Sequence, residues 1–316
     1  MPAVITSLKD DHLQQVRALA NRTGRAEAGG CLLEGAALIT QAVEAGATLR
    51  FVLAAEGASD PVTSLLATTG VPVLMAKESV LRQAVRLNRA VSWLAVAELA
   101  AVAGDDLPYG DFAVVLDNVL DPGNLGTIVR TAVGLGVADI VCTDPETDLT
   151  SRRVLDASRA AVLRARLRRY DTPVEAVRDL RERGFEVVAT SGRASMLQGS
   201  VPLSGRPVAL VVGNETDGVG EEVLELADHV VRIPMSGEVE SLNVGVATGI
   251  SLYELRARMA LASLGATITE LTGVVSDLRE SGYVGEDVAL TGFSEAEREQ
   301  FSDFLRRVRK NLRRGE

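Results

Sequence analysis

Five short apolar runs, each rich in β-branched residues, constrain the fold of residues 112–235 more than any other feature. They read FAVVLDN, DIVCT, EVVATS, VALVVGN and HVVRIPM, and stretches with helical spacing separate them. Runs that are apolar throughout, rather than alternating with polar residues, are typical of strands buried on both faces of a parallel sheet. The sequence therefore predicts an α/β fold for this part of the chain.

The residues before this region form a smaller domain by the same reasoning. Residues 7–47 have apolar side chains at helical spacing, and the runs FVLAA and VPVLMA that follow are typical of strands. Gly, Pro and paired Asp interrupt the pattern over residues 103–110, as they do in linkers. We therefore expect a smaller α/β domain over residues 1–105, a parallel-sheet domain over residues 106–258, and a partly helical extension over residues 259–316.

The charge of the chain limits the ways in which it could bind nucleic acid. The formal net charge is -10 over 316 residues, which argues against binding through one general positive field. Seven arginines nevertheless occur within residues 152–169. This segment is the best candidate in the sequence for a surface that faces phosphate groups.

Composition disfavours several other classes of protein. The sequence has two cysteines and two histidines, too few to form a zinc site without a partner chain. No apolar run reaches the roughly 18 residues that a membrane-spanning helix needs, and the first residues lack the pattern of a secretory signal. We expect a cytoplasmic protein that uses no metal and contacts no membrane.

A first group of candidate functional residues lies in residues 116–136, which read LDNVLDPGNLGTIVRTAVGLG. The Asp-Pro pair in this run is a typical helix start. Gly126 and Thr127 lie four and three positions before Arg130, so the arginine side chain, which points back toward the helix start, would lie over a face of small residues. An anion is already favoured at such a helix start. The alternative is an arginine on a solvated helix face.

A second group lies in residues 210–220, LVVGNETDGVG, where an apolar strand runs directly into a polar turn. Loops at the carboxyl ends of parallel strands are where open α/β sheets bind ligands. The turn lacks the Lys-Ser/Thr of a phosphate-binding loop, and Gly213, Gly218 and Gly220 do not have the spacing of a dinucleotide fingerprint. The alternative is a turn with a purely structural role.

A third group lies in residues 233–255, where Ser241 and Asn243 precede a helix of small residues, among them Gly245 and Gly249. Small residues permit close approach of another backbone. The alternative is a serine that caps a tightly packed helix.

Together the three stretches resemble the three motifs of the SpoU (TrmH-type) family of RNA 2'-O-ribose methyltransferases, in the SPOUT superfamily. The runs LLEGAALITQAVEAG and FVLAA are similar to the family's N-terminal substrate-binding domain. The resemblance covers about residues 5–256 and is weaker before residue 109. The residues that carry the three motifs are Pro122, Asn124, Gly126 and Arg130; Gly213, Asn214, Glu215 and Gly218; and Ile233, Pro234, Met235, Ser241, Leu242, Asn243, Val244 and Ala247.

The resemblance implies a fold, a cofactor and an assembly. Family members have a trefoil knot at the carboxyl end of the catalytic domain, form homodimers, and bind S-adenosylmethionine in loops of the knot. The N-terminal domain would bind the RNA substrate. Carried over by motif, the cofactor-binding residues would be Thr190, Ser191, Gly192, Gly213, Asn214, Glu215, Ile233, Met235, Leu242 and Asn243.

The resemblance also implies methyl transfer to a ribose 2'-hydroxyl of structured RNA, with ribosomal RNA favoured over transfer RNA. We expect Arg130 to hold the target phosphate and stabilise the developing alkoxide, because a guanidinium is always charged and is a poor base. Asn124, Ser241 and Asn243 would orient the ribose and Arg130. The candidate RNA contacts, each with an ordinary surface arginine as the alternative, are Arg22, Arg25, Arg153 and Arg159.

The sequence departs from the family at two positions, and two other functions compete with methyl transfer. Asp156 stands where a basic residue is common, so we expect the RNA path there to differ, and Thr216 stands where a glycine is usual. A non-catalytic RNA-binding or ribosome-assembly protein could retain the fold, but it would not need Asn124, Arg130 and the other motif residues. An oxidoreductase is disfavoured because no glycine fingerprint follows the first strand of the parallel sheet.

Overall fold

The computed structural model describes residues 4–59, 62–99, 107–214, 216–236 and 241–280. Residues up to Met259 belong to one compact unit, and the chain beyond it belongs to a second unit. Half of the predicted linker at 103–110, and the part of the predicted extension after residue 280, lie outside the described residues. The domain boundaries at residues 105 and 258 therefore stay predictions.

The first part of the chain forms a four-stranded mixed sheet with the order β1-β4-β2-β3. Strand β4 pairs antiparallel with both of its neighbours, whereas β2 and β3 are parallel. The strands are β1 (Gly30–Glu34), β2 (Leu49–Ala55), β3 (Val73–Ala76) and β4 (Trp93–Glu98), and the helices are α1 (Asp11–Ala18), α2 (Arg22–Ala28), α3 (Ala36–Glu44), α4 (Thr63–Ala67) and α5 (Glu78–Ala84).

The second part forms a seven-stranded sheet, within the described residues, in which every pairing is parallel. The order is β7-β6-β5-β10-β8-β11-β9. The strands are β5 (Phe112–Asp117), β6 (Asp139–Cys142), β7 (Arg166–Arg169), β8 (Glu186–Thr190), β9 (Met196–Leu197), β10 (Val208–Gly213) and β11 (His229–Arg232), and the helices are α6 (Pro122–Gly134), α7 (Arg152–Ser158), α8 (Pro173–Glu182), α9 (Glu221–Leu226) and α10 (Val244–Glu280).

The parallel α/β fold predicted from the apolar runs is confirmed. All five runs are strands, and those at the centre of the sheet, β5 and β10, are buried along their whole length. The helix start predicted at the Asp-Pro pair is also present, since the Asp121 carboxylate accepts the Asn124 N–H at 2.8 Å. The Thr172 hydroxyl caps α8 in the same way by accepting the Glu175 N–H at 3.2 Å. No helix in the described ranges is long and apolar enough to cross a membrane.

The arginine-rich segment does not form one surface, which corrects the expectation from the sequence. Three of its arginines belong to β7, a short edge strand that the apolar pattern did not predict. The guanidinium groups of Arg166 and Arg168 turn inward to the fully buried carboxylate of Asp139, to which each donates at 3.0 Å, while the Gly110 N–H donates at 2.9 Å. Burial raises the pKa of Asp139, but these hydrogen bonds outweigh it and hold the pKa below its usual value.

Asp139→Asn should destabilise the protein by about 3 kcal/mol at neutral pH, because it leaves two arginines facing a neutral group at a buried site. A carboxylate with a lowered folded-state pKa stabilises the fold above its unfolded pKa, and that stability is lost as the pH falls through the folded value. Urea unfolding at pH 7 and below pH 4 should therefore show a difference between wild type and variant that shrinks in acid.

The matched control is Asp111→Asn. Its carboxylate also accepts a hydrogen bond from an arginine, Arg256, at 2.7 Å, but the Asp111 side chain is 63% exposed. Exposed pairs contribute about 0–1 kcal/mol. Equal losses for the two variants would contradict the structural role assigned to Asp139.

Candidate active site

Three loops meet at one edge of the parallel sheet. Strands β10, β8 and β11 are neighbours and run in the same direction, so their carboxyl ends lie together. Two hydrogen bonds tie these ends: the Thr190 hydroxyl donates to the Val211 carbonyl at 3.2 Å, and the Ser191 N–H donates to the Val231 carbonyl at 2.9 Å. The loops that contain residues 190–192, 213–214 and 233–235 are thus brought side by side.

The turn after β10 is built around Asn214. Its side-chain oxygen accepts the Thr216 N–H at 2.8 Å and the Asp217 N–H at 2.7 Å. A Cβ on Gly213 would lie 2.0 Å from the Gly218 carbonyl carbon, so this position accepts only glycine. Gly218 itself has a φ of +74°. Glu215, a predicted cofactor-binding residue, lies outside the described residues.

Asp117, at the end of β5, connects this turn to the first motif. Its carboxylate accepts the Gly220 N–H at 2.9 Å. Burial raises the pKa of Asp117, and the hydrogen bond from Gly220 only partly offsets that rise. No local sequence pattern marks this contact, because its partners are 103 positions apart in the chain.

Asn124 and Asn243 join the first and third motifs directly. The Asn243 amide donates to the Asn124 side-chain oxygen at 2.8 Å. The Asn243 oxygen accepts the Gly245 N–H at 3.0 Å, so the cap of α10 is Asn243 and not Ser241, the alternative considered from the sequence. Ser241 is exposed, and Leu242 is half-buried between the two.

Small residues let α6 pack closely against its neighbours. A Cβ on Gly126 would lie 2.4 Å from the Ala157 Cβ of α7, and a Cβ on Gly245 of α10 would lie 3.1 Å from the Thr127 methyl. Glycine at both contacts keeps the start of α6 between α7 and α10. Arg130 is exposed on the same helix, and its guanidinium has no hydrogen-bond or ion-pair partner among the described residues.

The four candidate RNA contacts occupy different environments. Arg153 and Arg159 are exposed and line an open cavity of about 510 Å³ beside the start of α6. Arg22 is half-buried and donates to the Pro145 carbonyl. Arg25 is only 7% exposed.

The prediction of an RNA contact is corrected for Arg25. Its guanidinium donates to the Leu19 carbonyl and the Thr150 hydroxyl, each at 3.1 Å, and pairs with Asp148. A buried guanidinium with these partners is not available to RNA. Arg25 instead joins α2 to the loop that precedes α7.

A second ion-pair contact links the N-terminal sheet to α7. It was not predicted from the sequence. The Glu34 side chain, at the end of β1, is 4% exposed and faces Arg89 at 2.6 Å and Arg152 at the start of α7. A carboxylate directly after the buried run Cys31 to Leu33 was the available signal. The pair connects the N-terminal sheet to the helix that borders the cavity.

The two cysteines are buried and protonated. Burial raises the pKa of Cys31 and of Cys142 to about 12, so neither thiol is a thiolate at neutral pH. Across the described ranges, His, Cys, Asp and Glu side chains form no group of three that could hold a metal ion.

Comparisons with known proteins agree with the motifs. The model of the SpoU rRNA methylase family matches residues 111–253, and that of the MRM3-like substrate binding domain matches residues 10–95. An uncharacterized tRNA/rRNA methyltransferase of Synechocystis sp. is 31% identical over 265 residues, which are 83% of this chain and 96% of the relative. The chain belongs to the SpoU methylase family.

Further RNA methyltransferases, one of them a SpoU methyltransferase by its title, align over most of the chain. The 23S rRNA (guanosine(2553)-2'-O)-methyltransferase RlmP of Bacillus subtilis is 28% identical, with 80% of this chain and 98% of the relative covered. The crystal structure of AviRb from Streptomyces viridochromogenes in complex with AdoMet has a TM-score of 0.69 and 27% identity, with 79% of this chain and 98% of that chain covered. The AdoMet-bound rRNA methyltransferase from Sinorhizobium meliloti has a TM-score of 0.68 and 30% identity, with 81% of this chain and 98% of that chain covered.

In this SpoU protein, Gly126→Ala should destabilise the fold by about 1–3 kcal/mol, because the added methyl group overlaps Ala157 and the backbone of α7 has to move. Gly134→Ala is the control in the same helix, since a Cβ there meets no atom within 4 Å. It should stabilise the helix by up to about 1 kcal/mol. Urea unfolding of both variants tests this, and equal effects would show that α6 and α7 are not in close contact.

Proposed function

We propose that this protein transfers a methyl group from S-adenosylmethionine to a ribose 2'-hydroxyl of ribosomal RNA. The observation that carries the proposal is the hydrogen bond between Asn124 and Asn243, which joins the first and third SpoU motifs beside the strand-end loops of β8, β10 and β11. The relative RlmP is a 23S rRNA (guanosine(2553)-2'-O)-methyltransferase by name. This relative favours ribosomal over transfer RNA.

The residues at the three loops fit S-adenosylmethionine. Their backbone N–H and carbonyl groups supply polar contacts at the sheet edge. Ile233 and Leu242 are half-buried and Met235 is 37% exposed, so these loops also offer apolar side chains for the adenine ring to pack against. A Cβ on Gly192 would meet no atom within 4 Å, so space is open there. When bound, the cofactor supplies a methyl group on a positively charged sulfur, which is already electrophilic. Thr190, Ser191, Gly213 and Asn214 complete the proposed cofactor-binding set, together with Glu215.

The protein then has to position the ribose hydroxyl and assist loss of its proton. Arg130 is available for an anion because its exposed guanidinium is not engaged by another described side chain. We assign to it the target phosphate and the developing alkoxide. Asn124 and Asn243 hold each other in place, and with Ser241 they would orient the ribose. Arg22, Arg153 and Arg159 remain the proposed RNA contacts.

Arg130→Ala should lower methyl transfer by about a hundredfold, as loss of one preorganised donor does, while S-adenosylmethionine binding stays nearly unchanged. Transfer of labelled methyl groups to ribosomal RNA from cells that lack the gene measures the first effect, and calorimetry measures the second. Arg178→Ala is the control, because Arg178 is exposed on α8, away from the motifs.

Full activity of Arg130→Ala would exclude the catalytic role of this residue. Cofactor binding by the wild type without transfer to any RNA would favour the competing function, an RNA-binding protein that keeps the fold.

We propose that the protein acts as a homodimer through the start of α10. Val246, Ile250 and Tyr253 are 50%, 41% and 67% exposed. Their spacing of four and three residues places them on one helix face. Ile250 and Tyr253 also line an open cavity of about 490 Å³ with Ile233 and Pro234 of the third motif. A second copy packed there would cover this apolar surface beside the cofactor loops.

Tyr253→Glu should shift the protein from dimer to monomer at micromolar concentration, because it places a charge in the centre of the proposed interface. Leu107→Glu is the control, since Leu107 is 43% exposed but lies in the segment before β5. Sedimentation velocity distinguishes the two states. A Tyr253→Glu variant that sediments like the wild type would refute this interface.

Two further expectations rest on the family alone. We propose that the chain after β10 forms the trefoil knot of SPOUT proteins. A ribosomal RNA substrate would place the protein in the cytoplasm, as expected from the sequence.

A further inference from the structure

The open cavity beside α6 contains charged groups of both signs. Two arginines, Arg153 and Arg159, line it together with the carboxylates of Asp121 and Asp156. The formal charges of these four groups cancel. A site built only for phosphate would be positive, so the chemistry of this cavity differs from that of a phosphate-binding site.

Three of these side chains have no partner within the described part of the chain. Asp121 is engaged as the cap of α6, where it accepts the Asn124 N–H. The side chains of Asp156, Arg153 and Arg159 are exposed, and none of the three makes a side-chain hydrogen bond or an ion pair with a described residue. Arg152, one turn before Asp156, pairs with Glu34. Burial lowers the pKa of Arg152, and the nearby charge of Asp156 opposes that shift without an ion pair between the two. One carboxylate and two guanidinium groups therefore face the same space without a hydrogen-bond or ion-pair partner among the described residues.

The backbone at Arg159 adds a second observation. Arg159 and Ala160 have φ values of +52° and +62°, a region that residues other than glycine rarely occupy. Ala160 is fully buried, whereas the Arg159 side chain lies at the cavity. Two consecutive strained residues cost free energy, and such strain is concentrated at ligand sites. The turn directs Arg159 to the side of α7 that carries Asp156.

The cavity lies on the catalytic side of α6. Gly123 lines the cavity, and Arg130 follows it by seven residues, which is two helical turns on the same face. Seven residues correspond to about 10 Å along the helix axis. This separation suits a nucleotide whose base occupies the cavity while its sugar and phosphate lie toward Arg130.

We propose that this cavity reads the base of the target nucleotide and that the base is guanine; this inference rests on the proposed methyltransferase function. Guanine offers two acceptors, O6 and N7, to an arginine, and two adjacent donors, N1–H and the N2 amine, to a carboxylate. Asp156 accepts the two donors, and Arg159 donates to the two acceptors. Adenine, cytosine and uracil lack this combination of edges. Bases exposed in single-stranded RNA are read on these edges.

The replacement of a basic residue by Asp156 then has a physical meaning. A carboxylate in contact with RNA phosphate would weaken binding, whereas a carboxylate against the N1 and N2 donors of guanine adds selectivity. The residue thus determines specificity and takes no part in the chemical step.

The test first maps the nucleotide that the wild-type protein methylates in ribosomal RNA from cells lacking the gene. Synthetic hairpins then carry guanosine, inosine or 7-deazaguanosine at that position. Inosine lacks the N2 amine, and 7-deazaguanosine lacks the N7 acceptor. The wild type should lose about tenfold in kcat/KM on each analogue, the loss expected when one base-edge contact is removed.

The variants identify the residue that reads each edge. Asp156→Asn should lower kcat/KM about tenfold on guanosine and abolish the preference for guanosine over inosine, while Arg159→Ala should abolish the preference over 7-deazaguanosine. Asp171→Asn, at an exposed acid before α8, is the control and should keep both preferences. Cofactor binding should be the same in all variants.

The outcomes separate this inference from the proposed function. A mapped nucleotide other than guanosine, or equal rates on all three hairpins, would overturn base reading while leaving the methyltransferase function intact. An Asp156→Asn variant that gains activity equally on every hairpin would mean that the cavity holds phosphate. Absence of transfer by the wild type to any RNA would instead overturn the proposed function.

Discussion

The close packing of α6 between two other helices is the constraint on which the proposed site depends. Gly126 lets the backbone of α7 approach, and Gly245 lets the first turn of α10 lie against Thr127. Only with both contacts in place can Asn243 reach Asn124 and cap α10 at the same time. Interiors are packed at near-crystalline density, so one added methyl group at such a contact has to move a helix. The geometry of the site therefore depends on the absence of a side chain at Gly126 and Gly245 as much as on its polar groups.

Two ion pairs fix the position of the N-terminal sheet relative to α7 and to the loop that precedes it. Glu34 meets Arg152 at the first turn of α7, and Arg25 meets Asp148 in the preceding loop. Both pairs involve buried charges, whose loss on one side leaves the other without a partner. Because α7 also borders the cavity and packs on Gly126, the position of the N-terminal sheet and the geometry beside Arg130 depend on the same helix.

The elements that local pattern encodes could be predicted, and those that depend on distant partners could not. The runs FAVVLDN and VALVVGN are strands, as expected for apolar segments rich in β-branched residues that are buried on both faces of a sheet. Asp121 caps α6, as the proline that follows it indicates. The family motifs predicted which loops would meet. Strand β7 was missed because its arginines appear polar in sequence, and the carboxylate that Arg166 and Arg168 share, Asp139, is 27 and 29 positions away. Arg25 was misassigned because its partner Asp148 is 123 positions away.

The anchor at Asp139 bears on how the chain could be recombined. Asp139 holds the Gly110 N–H, and its partner Arg168 donates to the Leu107 carbonyl at 2.8 Å, so the peptide that enters β5 is fixed from both sides. A chimera with the first sheet of another SpoU protein would keep this entry point if the junction lay before Leu107. It would still have to supply its own counterparts of Glu34 and Arg25, because their partners Arg152 and Asp148 stay behind.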